Sequence, residues 1–131
     1  MSQLSTHIAI NAAYGRMFRH ENGIIYLYVD NGLSIEDMPE AQQLVQDVQS
    51  LDNSGKARLL IVQGNNNNMT FSAQKYLGTV EGVTHLALVV QSRLQAEVAR
   101  FFMSMMSLLH SPYELRVFHQ LEQAENWLLS I

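Results

Sequence analysis

Two kinds of apolar periodicity alternate along the chain. The segments "AYGRMFRH" (13–20) and "IIYLYVD" (24–30) are rich in aromatic and β-branched residues, and "ENG" separates them with an Asn22-Gly23 pair that tolerates the positive φ angles of a tight turn. They read as a β-hairpin. From Met38 the apolar positions change to helical spacing, with Met38, Ala41, Val45 and Val48 on one side until "DNSGKA" interrupts the pattern. Ser34 with Asp37 and Asp37 with Glu40 both have capping-box spacing. Pro39 lacks an N–H and suits a first turn, which favours Asp37 as the cap.

The runs "RLLIVQ" (58–63) and "THLALVVQ" (84–91) are apolar through their middles, as strands covered on both faces should be. Between them "MTFSAQKYLG" predicts a short helix that stops at Gly78. A helix over 92–109 follows, then a break at Ser111-Pro112, the strand "YELRVFH" (113–119) and the helix "LEQAENWLL" (121–129). Leu115 and Val117 alternate with Glu114 and Arg116, so this last strand should be less covered. The alternation predicts one α/β domain over 1–131: an N-terminal β-hairpin, then four β-α units, in a mostly parallel mixed sheet with right-handed crossovers. Residues 1–12 read as a loosely ordered start.

A length of 131 residues suits a single core, and 47% hydrophobic with 15% charged residues is the balance of a folded chain. Eight basic against 12 acidic residues give a net charge of −4, with Lys56 and Lys75 the only lysines, so nothing in the composition attracts nucleic acid or an anionic membrane. The absence of cysteine removes disulfide and thiol chemistry. The opening "MSQLSTHIAINAA" lacks the features of a signal peptide, and no apolar run approaches the roughly 18 residues of a membrane span. A cytoplasmic protein is expected.

Ligands of open α/β sheets gather beyond the carboxyl ends of the strands. Here that rim carries Asp30 and Asn31, Gln63 to Thr70 with Asn65, Asn66, Asn67 and Asn68 among them, Ser92 and Arg93 after the next strand, and His119 and Gln120 after the last. The same residue types also cap helices and make turns, so a ligand rim and a purely structural rim are both open readings. The asparagine loop lacks the lysine and spaced glycines of a phosphate-binding loop. His7, His20, His85, His110 and His119 have no partners at metal-ligand spacing, and no serine sits in a G-x-S-x-G turn. Neither metal, cofactor nor catalytic residue is assigned, and a non-enzymatic role is expected.

The helix over 92–109 is the most unusual segment. Arg93, Glu97, Arg100, Ser104 and Ser107 form one polar stripe, while Leu94, Val98, Phe101, Met105 and Leu108 form an apolar side expected to pack on the sheet. Phe102, Met103, Met106 and Leu109 then remain as surplus apolar surface. Either a neighbouring helix covers them or they serve a partner, a homodimer being the simplest, and on that second reading Met106→Glu weakens self-association while the fold survives. A lipid or other small apolar ligand, in a pocket lined by Phe101, Phe102 and Met105, is the alternative.

The closing "RVFHQLEQAENWLLS", in which Ala124, Trp127 and Leu128 match an Ala-x-x-Trp-Leu pattern, resembles SpoIIAA-like proteins of the STAS and STAS/SEC14 group. "HLALVVQSRLQAEVARFF" is similar to the penultimate strand and helix of that group. The likeness spans nearly the whole chain by element pattern and its last third by residues. It implies a domain that works by binding a protein partner, switched in anti-sigma-factor antagonists by phosphorylation of a serine at the start of the second helix. Thr70 and Ser72 occupy that place here, although "NNNNMTFSA" replaces the Asp-Ser-Ser-Gly-Leu type of motif. The SEC14 side of the resemblance implies an apolar ligand.

Overall fold

In the computed structural model of the chain, which describes residues 9–36 and 38–131, the main sheet has six strands in the order β1-β2-β3-β5-β7-β8. They are β1 (Ile10–Ala12), β2 (Gly15–Arg19), β3 (Ile25–Val29), β5 (Ala57–Val62), β7 (Val83–Val89) and β8 (Glu114–Phe118). Two short strands, β4 (Ser34–Ile35) and β6 (Asn68–Met69), pair separately in parallel. The helices among the described residues are α1 (Met38–Leu51), α2 (Phe71–Gly78), α3 (Arg93–Leu108) and α4 (Leu121–Leu129). The expected cap Asp37 and the histidine His7 lie outside the described residues.

The α/β class, the antiparallel start and the parallel remainder agree with expectation: β1, β2 and β3 are antiparallel neighbours, and β3, β5, β7 and β8 run parallel. Residues 10–12 require a correction. Instead of belonging to a loose leader they pair with Gly15 to Met17 at the sheet edge, a contact too short to leave any periodicity in the sequence. The β4–β6 pair was equally invisible, and it clips the loop after β3 to the loop after β5.

Strand order follows chain order from β3 to β8, so three successive right-handed crossovers must lie on one side of the sheet. Accordingly Leu44 and Val48 of α1, Ala73 of α2 and Met106 of α3 share one core with Ile25, Leu27, Leu59 and Leu86. Among the described helices only α4 returns to the opposite face, where Ala124 and Leu128 close over Tyr26, Leu60 and Ala87. Successive residues of β3 and β5 thus enter different cores, which is why these strands read as unbroken apolar runs.

Phenols tie the layers together. Tyr14 donates 2.6 Å to Asp47 on α1, and Tyr26 donates 2.6 Å to Glu125 on α4. Burial first, then the hydrogen bond to the carboxylate, pushes the Tyr14 phenol well up, and the same two effects push Tyr26 up to about 12. Tyr113, raised by burial, donates 2.8 Å to the Leu77 carbonyl and fastens β8 to α2.

Candidate functional site

The rim begins with a helix start. Thr70 is the N-cap of α2, its hydroxyl accepting from the Ala73 amide at 3.3 Å and donating to the Glu36 carbonyl at 3.4 Å. Both capacities of the hydroxyl are therefore in use. Ser72, two residues on, lies exposed in the first turn beside Phe71, which is 59% exposed.

The four asparagines divide their work. Asn67 accepts from the Gly64 amide and donates to the Asp30 carbonyl, both at 2.7 Å, while the Asn65 amide donates 2.8 Å to Asn31. Asn66 takes the left-handed conformation at φ 58° that asparagine tolerates. Asn68 enters β6, and its amide donates 3.0 Å to the Leu33 carbonyl. The loops after β3 and β5 approach so closely at Gly64 that a Cβ there would meet the Val29 carbonyl oxygen at 2.6 Å and the Asn31 nitrogen at 2.9 Å.

A third loop joins them through two glutamines. Gln91 donates 3.1 Å to the Gln63 carbonyl, and Gln95 donates 2.8 Å to the Gly64 carbonyl. These residues were not singled out from the sequence, although Ser92-x-x-Gln95 has capping-box spacing and Ser92 does cap α3 by accepting from the Gln95 amide at 3.2 Å. Gln63 Oε1 is buried and finds no hydrogen-bond partner among the described residues. Arg93 and His119 are exposed at this same end of the sheet, following β7 and β8. The rim is a brace of amides turned toward one another, and no group of three or more His, Asp or Glu among the described residues is placed to hold a metal ion.

On α3 the expected faces are exchanged. Leu94, Val98, Phe101 and Leu108, predicted to pack on the sheet, are 73%, 52%, 62% and 81% exposed. Met105, expected on that same sheet-packing side, is buried as expected, whereas Met106, predicted as surplus surface, is buried too, and Phe102 and Met103 pack against the main core. Leu109 is half-buried at the helix end. The reason lies in Ala96 and Ala99, both buried. Small residues let a helix come close to its neighbours, but they weigh little in an apolar pattern dominated by Leu, Phe and Met. Gly78 acts likewise on α2, where a Cβ would stand 3.4 Å from Met106 and 3.8 Å from Phe102.

The pocket expected from Phe101, Phe102 and Met105 therefore does not form, since Phe101 turns outward and the other two are packed inward. A different recess of about 290 Å³ opens to solvent at the far end of α3, lined by Met103, Met106, Ser107, His110, Ser111, Tyr113 and Leu115.

A family described as "Domain of unknown function (DUF7793)" matches residues 18–131, from within β2 to the end of the chain. The chain belongs to this family. The DUF7793 region contains the whole amide brace of the rim and the whole of α3, and leaves out β1 and the start of β2. No curated protein and no solved structure matches the chain. No helix among the described residues is long and apolar enough to cross a membrane.

Proposed function

We propose that the chain is a non-enzymatic, cytoplasmic interaction domain of SpoIIAA-like type, and that the outer row of α3 is its binding surface. The observation that carries this reading is the exposure of four large apolar side chains on one side of a single helix. Burying a side chain of this size contributes roughly 1.5–3 kcal/mol, so the row is a source of affinity that nothing within the described fold consumes. The rim offers less, because a ligand there would have to displace hydrogen bonds already made.

Ser72 is the hydroxyl best placed for a regulatory phosphate. It is exposed in the first turn of α2, whereas modification of Thr70 would remove the α2 cap. A photoreactive residue at position 101, introduced in the native host, should cross-link to one discrete protein, and Val98→Glu should abolish the product. Equal cross-linking from a control position such as Asn126 would sink the proposal.

The recess beside Tyr113 supports the second reading, a carrier of a small apolar ligand. Organic extraction of purified protein should then release one stoichiometric compound, and an extract without one counts against it.

A further inference from the structure

The outer row of α3 has a spacing and a charge pattern that specify its occupant. The exposed residues of the row, Leu94, Val98, Phe101 and Leu108, are separated by four, three and seven positions, which keeps them on the 3.5-residue period of a helix that packs along another helix. A sheet or a lipid surface requires no such seam. A lipid-binding helix would also carry a polar face rich in Lys and Arg throughout, whereas here Glu97 stands between Arg93 and Arg100 and the chain has a net charge of −4.

We infer that the occupant is α3 of a second copy of this chain, lying antiparallel across a two-fold axis. This rests on the reading of the row as a binding surface and adds the identity and direction of the partner. In a parallel pair the polar flank of one helix would face the Gln95 and Phe102 side of the other, where α3 itself carries no charged residue. In an antiparallel pair the two polar flanks meet on one side of the seam. Placing Val98 opposite the partner's Phe101 brings each Glu97 within about 3 Å along the axis of the level of the partner's Arg100, at 1.5 Å rise per residue.

Within one copy Glu97 and Arg100 already form an exposed ion pair. Two copies so arranged close a ring of four alternating charges around the two-fold axis, the self-complementary relation that an isologous interface requires. One helix pair of this length lies at the small end of the roughly 1,200–2,000 Å² that stable complexes bury, so a dissociation constant in the micromolar range is expected.

Sedimentation equilibrium of the full chain, with protein from about 1 to 300 µM, tests this directly. The wild type should dimerise, and Phe101→Glu should weaken dimerisation at least about 30-fold without lowering the Tm of dilute monomer. Glu97→Arg and Arg100→Glu each place four like charges in the ring and should each weaken it about tenfold or more, while the double exchange restores wild-type affinity. A wild type that stays monomeric throughout overturns the inference, and cross-linking at position 101 to a different protein would then still sustain the broader reading. Dimerisation that survives both single reversals unchanged overturns the antiparallel arrangement. Dimerisation unaffected by Phe101→Glu overturns the choice of surface.

Discussion

At the rim, the amides of Asn31, Asn67, Gln91 and Gln95 point at neighbouring loops; along α3, the side chains of Leu94, Val98, Phe101 and Leu108 point at solvent. The first region is polar and closed, the second apolar and open. A surface rich in hydrogen-bonding groups is attractive to a ligand only while those groups lack partners, since exchanging one set of hydrogen bonds for another yields little net free energy. Apolar side chains make no such exchange, and their removal from water remains available to whatever covers them. Availability, and not chemical character, separates a brace from a binding surface.

The sharpest way to break the comparison is to put the same charge on either side of α3. Met106 is 4% exposed, so Met106→Glu should cost about 4 kcal/mol or more and leave little folded protein in a denaturant titration, contrary to the sequence-based expectation that it would spare the fold. Phe101→Glu on the outer row should change stability by no more than about 0.5 kcal/mol. Similar losses in both variants would show the outer row to be core.

The closure of the rim can be tested next. Gly64→Ala forces a methyl against the Val29 carbonyl and the Asn31 nitrogen, and should cost about 3 kcal/mol by chemical denaturation. Asn67→Ala removes one hydrogen bond within its own loop and one that bridges to the Asp30 carbonyl of the loop after β3, and should cost about 2 kcal/mol, while an unchanged midpoint would mean the amide is free for a ligand after all. Smaller still, Thr70→Ala should lose about 1 kcal/mol with its cap, whereas Ser72→Ala should stay within about 0.5 kcal/mol, which would leave Ser72 as the one of the two hydroxyls not already committed to the fold.

At neutral pH the phenol ties between the layers have no titration effect, but alkali reveals them. Tyr26 ionises near its ordinary value of 10.0 when unfolded and near 12 when folded, so its contribution is complete below about pH 10 and is lost as pH rises toward 12. Stability should fall across that window, and Tyr26→Phe should flatten part of the slope. Dimer measurements below pH 9 are then free of this effect.

Short elements and side-chain direction were the hardest features to foresee. β1, β4 and β6 have two or three residues each and exist only because a partner strand is beside them. The asparagine run was legible as a turn and helix start, and Thr70 as a cap, because both depend on conformational preferences of nearby residues. The acceptors of Asn67 and Gln95 lie 37 and 31 residues away, beyond any local pattern.

Local periodicity and turn chemistry were enough to determine the kind, order and approximate limits of the main strands and helices, and the crossover rule turned that order into a mostly parallel sheet. These rest on backbone preferences and chain handedness, which act within or between successive elements. Which side of α3 faces inward was decided only in the assembled fold. There the sheet and Gly78 left room for Ala96, Ala99 and Met106, and the larger row at Leu94, Val98, Phe101 and Leu108 was left outside, because close packing rewards fit to the available space over the size of an apolar side chain.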